Sequence, residues 1–136
     1  MSSCVFCQIV EGKIPSAKLY ETDSVLAFLD INPINPGHTL IIPKRHATSI
    51  FDVDEEDLKE CAVVAAKVAR AVRKATGCDG MNVLQNNFRV AGQIIDHFHI
   101  HLIPRFENDG FLTSWPGKPY GEGKMEEMRK AILEHI

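Results

Sequence analysis

The run "DHFHIHLIPR" at residues 96–105 alternates histidine with apolar residues from His97 to Leu102. Successive side chains of a strand point to opposite faces, so a period of two gives this strand an imidazole face, His97, His99 and His101, and an apolar face, Phe98, Ile100 and Leu102. The apolar face needs a covering layer. Three imidazoles with water-accessible nitrogens make poor core material, so the histidine face is expected to line a cleft. Metal ligation, phosphate chemistry and plain solvation are all open to it. Cα atoms two residues apart in a strand are separated by about 6.5 to 7 Å, and those four apart by about 13 Å, so one compact ion can take two of these histidines but not all three without strain.

Residues 54–76 supply the covering layer. Leu58, Cys61, Ala62, Ala65, Val68, Ala69 and Val72 recur at three- and four-residue steps, the spacing of one helix face. Asp52 or Asp54 can cap this helix, acidic residues crowd its first turn, Lys67, Arg70, Arg73 and Lys74 its last two, and Gly77 follows as a stop. Residues 19–21, 25–30, 38–43, 81–86 and 94–103 read as strands. They are separated by the turn Thr22-Asp23-Ser24, the break from Asn32 to Gly37 and a loop containing Val90-Ala91-Gly92-Gln93, with Pro104 ending the last strand. Residues 125–136 read as a short C-terminal helix behind a turn-rich segment. Five strands, one long helix and one short helix predict an α+β fold with a five-stranded antiparallel sheet. At 136 residues the chain fits a single domain, 1–136, with a catalytic core over about 4–105 and a C-terminal tail over 106–136.

A net charge of −3 argues against binding a nucleic-acid polymer, which needs clustered Lys and Arg to displace counterions. A single nucleotide remains a possible ligand. The N-terminus "MSSCVFCQIVEGK" lacks a basic region followed by a long apolar stretch, and no window approaches the eighteen apolar residues of a membrane span, so a cytoplasmic protein with no membrane partner is expected. Four cysteines in such a chain read as reduced thiols or metal ligands rather than a disulfide framework. Cys61 falls in the helical pattern and Cys78 beside a glycine. Cys4 and Cys7 have C-x-x-C spacing, which puts two sulfurs within reach of one ion or one disulfide.

Asn86, the Gly92-Gln93 pair and then His97-Phe98-His99-Ile100-His101-Leu102-Ile103 together resemble the signature of the histidine triad superfamily. The stretch "CVFCQIVEGKIPSAKLYETDSVLAFLDINPINPGHTLIIPKRH" is similar to the N-terminal half of its Hint-like branch, in the bacterial and archaeal zinc-carrying form. The resemblance implies a nucleotide-binding hydrolase or nucleotidyl transferase. It would act at the α-phosphate of purine nucleoside phosphoramidates or related adenylates through a nucleotidyl-histidine intermediate. In that reading His99 is the nucleophile and His101 steadies a phosphate oxygen, with Asn86 and Gln93 as further polar contacts and the backbone of Gly92 approaching the phosphate. Asp30 would accept hydrogen bonds from the ribose, and Val5, Phe6, Ile9, Phe28 and Ile31 would line the base pocket. A purine nucleotide such as AMP is the implied ligand. Cys4, Cys7, His46 and His97 are the implied ligands of a closed, structural zinc site.

The resemblance also implies a homodimer that pairs the long helix and strand 81–86 across a two-fold axis, with the Trp115 region near the partner's site. His38 is read as a structural strand residue and His135 as exposed. Three positions depart from the family pattern. Phe88 stands where glycine is common, Ile94 where a hydroxyl contacts phosphate or leaving group, and Asp96 where an apolar or aromatic residue is usual. The lost hydroxyl at Ile94 and the bulky ring at Phe88 keep open a second reading, a nucleotide-binding regulatory or scaffold protein with little turnover. A third, a catalytic metal held by His97 and His99, would also require an acidic ligand and an open coordination position.

Overall fold

The structure, a computed structural model, describes residues 3–136. In chain order the elements are α1 (Val5–Val10), β1 (Lys18–Glu21), β2 (Val25–Leu29), β3 (Thr39–Pro43), α2 (Glu55–Thr76), β4 (Gly80–Gln85), a single 3-10 turn (Arg89–Ala91), β5 (Ile100–Arg105) and α3 (Lys124–Leu133). The strands form one antiparallel sheet in the order β1-β2-β3-β5-β4.

Helix α2 forms where the periodicity places it. The Asp54 carboxylate accepts from the backbone N–H groups of Glu56 and Asp57, and Gly77 closes the helix in the left-handed region at φ 65°. Its Cys61, Val64, Ala65, Val68 and Val72 pack onto Val25, Ala27, Ile41, Phe98, Ile100 and Leu102. A fully buried aliphatic or aromatic side chain is worth roughly 1.5–3 kcal/mol, so this layer is the main source of cohesion.

The opposite face of the sheet carries a second cluster, in which Phe6 and Ile9 of α1 cover Leu26, Phe28, Leu40 and Ile42. Strands β2 and β3 are thus buried on both sides. Phe28 pairs with Leu40, and Leu40 with His101. That register puts His101 in the same row as two apolar residues beneath α1, so the cleft opens on the α1 face.

Four features differ from the sequence expectations. Helix α1 has no counterpart among them, because six residues are too few to display a helical period. Strand β5 begins at Ile100 rather than 94, yet the alternation persists upstream of the ladder: Phe98 is 1% exposed on the α2 side and its N–H donates to the Ala47 carbonyl. Pro104 does not end β5 but lies inside it opposite Met81, beyond the point where the β3 ladder stops at Leu102. The C-terminal helix is shorter than 125–136 and every residue of α3 is exposed.

Gly37, at φ 98°, is held to glycine twice over, since a Cβ there would sit 2.8 Å from Thr76 Cγ2 and 3.2 Å from Pro104 Cγ. Beyond the sheet, Arg105 ties down the segment that follows, its guanidinium donating to both carboxylate oxygens of Asp109 at 2.7 and 2.8 Å. Among the described residues no helix is long and apolar enough to cross a membrane.

Candidate functional site: a histidine cleft beside a four-ligand cluster

Three of the six histidines are buried: His38, His97 and His99. Burial pushes the pKa of His97 and His101 down to about 4 and lowers those of His38 and His99, so all four rings are neutral at pH 7. In a neutral imidazole one nitrogen donates and the other accepts, and neighbouring backbone groups decide which.

For His99 the decision is local. Nδ1 lies 2.7 Å from the His97 carbonyl, which can only accept, so the proton sits on Nδ1 and Nε2 keeps its lone pair. His101 is set from further away. The Ile34 backbone N–H donates to His38 Nδ1 at 3.0 Å, which leaves the His38 proton on Nε2, 2.9 Å from His101 Nδ1. His101 Nδ1 must then accept, and its own proton stands on Nε2. The two rings that line the cleft therefore have opposite polarity: His99 offers a lone pair and His101 an N–H. His38 is thus a buried residue that is hydrogen-bonded to a residue of the cleft wall. It sits at the start of β3 with no periodic partner, so only its contact with a residue 63 positions away reveals it.

The cleft has a volume of about 490 Å³, within the range of small-molecule sites. Val5, Phe6, Ile9, Phe28, Asp30, Ile31, Gly92, His99 and His101, all singled out in the sequence, line it together. Ile14, Pro15, Ser16, Leu40 and Ile95 also line it; nothing in their spacing marks them beforehand. The Phe6 ring stands edge-on to His99, His97 and Phe28 at centroid distances of 5.2, 5.8 and 5.5 Å. Asp30 accepts from the Asn32 N–H at 2.8 Å and its other oxygen lies 3.7 Å from His38 Nε2.

Asn86 and Gln93 stand differently. Asn86 is not part of the wall but abuts Gly92, where a Cβ would lie 3.4 Å from Asn86 Nδ2. Gln93 is 1% exposed, with Oε1 accepting from the Phe88 N–H at 2.6 Å and Nε2 donating to the Thr48 carbonyl at 2.6 Å. Both ends of that side chain are engaged in joining two loops. Ile94 is 72% exposed and forms part of the cleft rim. Asp96 is exposed, and both nitrogens of the adjacent His97 ring are engaged elsewhere, so its carboxylate faces solvent. Trp115 is 78% exposed.

His97 turns away from the cleft. Its Nε2–H donates to the Pro43 carbonyl at 2.8 Å, which leaves Nδ1 as a lone pair facing Cys4 Sγ at 3.4 Å, Cys7 Sγ at 3.6 Å and His46 Nδ1 at 3.2 Å. Cys7 Sγ lies 3.3 Å from His46 Nδ1. A tetrahedral zinc with ordinary bond lengths sets its ligands about 3.3 Å apart for two nitrogens and about 3.6 Å apart for nitrogen and sulfur. The observed separations match those edges, and the Pro43 bond to the distal nitrogen of His97 is the support that metal-bound imidazoles typically have. Among the described residues a second group, Asp30, His38 and His101, also lies close enough to hold an ion, but His99 belongs to neither group. Among the described residues no group of candidate ligands joins His97 to His99. A larger cavity of about 580 Å³ beside β4 contains no histidine or cysteine, and its Arg105 and Asp109 are paired to each other.

Known proteins resemble this chain in sequence and in fold. An adenosine 5'-monophosphoramidase of Saccharomyces cerevisiae is 41% identical over 136 residues, covering 99% of this chain and 84% of the relative. The crystal structure of a HIT family protein from Bacillus subtilis superposes with a TM-score of 0.93 at 39% identity, covering 99% of this chain and 98% of that one. A zinc-bound histidine triad family protein from Mycobacterium smegmatis superposes with a TM-score of 0.76 at 37% identity, covering 97% and 94%. The model of the HIT domain matches residues 11–108, and the chain belongs to the HIT domain family.

Proposed function

We propose that this protein is a nucleotide-binding hydrolase or nucleotidyl transferase acting at the α-phosphate of purine nucleoside phosphoramidates or related adenylates. The observation that carries the proposal is the opposed polarity of His99 and His101 in one cleft. The base enters the apolar end between α1 and β2, against Val5, Phe6, Ile9, Phe28 and Ile31, while Asp30 accepts from the ribose hydroxyls. His99 Nε2 attacks phosphorus, a P–N bond forms to the imidazole, and the P–N bond to the amine breaks as the amine departs with that electron pair and a proton from water. The His101 N–H steadies the charge on a phosphate oxygen, with the backbone of Gly92 close by and Asn86 beside it. Water then attacks phosphorus, the P–imidazole bond breaks, and AMP and a proton are released.

Support from relatives is consistent: the Saccharomyces cerevisiae relative is named an adenosine 5'-monophosphoramidase. The test is AMP release from adenosine 5'-phosphoramidate. His99→Ala is expected to lower kcat/KM by about 10³-fold or more, as removal of a nucleophile does, and equal rates for variant and wild type would remove the catalytic role.

Zinc on Cys4, Cys7, His46 and His97 belongs to the same proposal. Bound there, the ion would supply cohesion between the N-terminus and the segment entering β5, with no coordination position left for substrate. The expected stoichiometry is one zinc per chain by elemental analysis. Two thiolate ligands require reduced cysteines, which supports a cytoplasmic location. Strand β4 is an open sheet edge with Val83 59% exposed, which supports pairing with a second copy, and that arrangement would place the exposed Trp115 region toward the partner. A second reading, nucleotide binding with little turnover, rests on Ile94, which brings an exposed hydrocarbon to the rim and no proton for the departing amine. Tight AMP binding without AMP release from any phosphoramidate would favour it.

A further inference from the structure

A second cavity, of about 470 Å³, is contiguous with the histidine cleft, because Val5, Ile94 and Ile95 line both. The rest of its wall is Ser3, Cys4, His46, Thr48 and Asp96. Cys4 Sγ and His46 Nδ1 are turned to His97 Nδ1 in the four-ligand cluster, and in the proposed zinc site two thiolates balance the charge of the ion. Asp96 is then the one charged side chain among the described residues of this wall. Its carboxylate is exposed and makes no hydrogen bond or salt bridge to another described residue. The backbone around it is fixed: the His97 N–H donates to the Ile95 carbonyl at 2.9 Å, and the Phe98 N–H to the Ala47 carbonyl at 2.7 Å. Thr48 is held on both sides, its N–H donating to Asp52 Oδ2 at 3.0 Å and its carbonyl accepting from Gln93 Nε2.

Position and charge together limit what this cavity takes. On the proposed function the nucleoside fills the α1 end of the cleft and the phosphorus stands at His99, so the contiguous cavity receives the leaving group across the shared Ile94–Ile95 edge. Those two side chains offer hydrocarbon to an alkyl chain. Around them stand a carboxylate and the hydroxyls of Thr48 and Ser3, all able to accept hydrogen bonds, and no described lysine or arginine lines the wall. Such a wall repels a phosphate-bearing leaving group and attracts an ammonium. Asp96 is three residues from His99, at most about 10 Å of extended chain, and a five-carbon diamine is about 7.5 Å from nitrogen to nitrogen. We propose that this cavity is a leaving-group subsite in which Asp96 determines specificity, so that the preferred substrates are AMP amides of alkyl diamines whose second amine is protonated. The inference rests on the nucleotide reading above.

Calorimetry on the full-length zinc-loaded His99→Ala protein tests it, with AMP and its pentylamide, 5-aminopentylamide and 4-carboxybutylamide as titrants. The aminopentylamide is expected to bind about 2- to 5-fold more tightly than the pentylamide, the yield of an exposed ion pair, and the carboxybutylamide more weakly than either. That advantage should shrink at about 0.5 M salt. Adding Asp96→Asn should bring the aminopentyl-to-pentyl ratio near one, and Asp96→Lys should favour the carboxybutylamide instead. A ratio near one in the parent protein, or one that Asp96→Asn leaves intact, overturns the proposal. The salt dependence needs no variant at residue 96, and a ratio indifferent to salt overturns the proposal as well. Failure to bind AMP itself overturns the nucleotide reading, whereas AMP binding without preference for the diamine overturns this inference alone.

Discussion

Proton placement on four neutral imidazoles is decided by groups that cannot donate or cannot accept. The His97 carbonyl fixes His99, and the Ile34 amide fixes His38 and, through it, His101. His38 is therefore a positioning residue in the proposed chemistry. His38→Phe keeps a planar aromatic ring, though a larger one, and removes the donor to His101 Nδ1, so the His101 proton is free to change sides. The expected outcome is a kcat lower by about 10-fold with a smaller change in KM, less than the 10² to 10³ lost when an oxyanion donor is removed outright. Nitrogen chemical shifts of His101 would report the tautomer, and an unchanged tautomer together with an unchanged kcat would refute the relay. At Phe88, whose φ is 70°, the backbone strain is worth on the order of 1–3 kcal/mol.

Helix α1 links the two halves of the site. It is six residues long, far below the length at which a helix persists alone in water, and it carries the cluster residue Cys7, with Cys4 at its N-cap, as well as the cleft residues Val5, Phe6 and Ile9. The Cys7 N–H donates to Cys4 Sγ at 3.4 Å, so the cysteines organise the first turn as well as the four-ligand cluster. Zinc removal, or Cys7→Ser, is expected to release α1. The predicted consequences are faster hydrogen exchange of its amides, a lower Tm and AMP affinity weaker by about 10-fold, the loss of roughly one aromatic wall. Zinc depletion that leaves α1 exchange and AMP affinity unchanged would show that the apolar contacts of Phe6 and Ile9 suffice.

The whole molecule closes through a charge pair away from the cleft. The Asp109 side chain is 8% exposed and its carboxyl is held well below the usual carboxylate range, first by the Arg105 guanidinium and then by the Phe106 N–H. A depressed acid adds stability that is complete above its unfolded pKa, about 3.9, and is lost as pH falls toward the folded value, because the unfolded chain then binds the extra proton. The urea midpoint should therefore drop as pH is lowered from about 4 to 2, and Asp109→Asn should flatten that slope while reducing stability at pH 7. An unchanged slope in the variant would mean that other carboxylates govern the acid limit.

Much of this architecture is legible in the linear chain because it depends on local periodicity. A period of two sets Phe98, Ile100 and Leu102 against α2, a period near 3.6 builds α2 itself, and Asp54 and Gly77 bound it, each a matter of backbone geometry within a few residues. The triad pattern and the Cys pair point to the histidine cleft and the four-ligand cluster through the family resemblance, because spacing along the chain does not bring His46 and His97 to the two cysteines. What only the tertiary structure decided are the contacts between distant segments. These are the Ile34–His38–His101 relay, the engagement of Gln93 by Phe88 and Thr48, the docking of α1 on the sheet and the Phe51–Phe88 stack. Which nitrogen of an imidazole carries its proton depends on whichever carbonyl or amide the fold brings beside it, and residue spacing along a chain does not encode that neighbour.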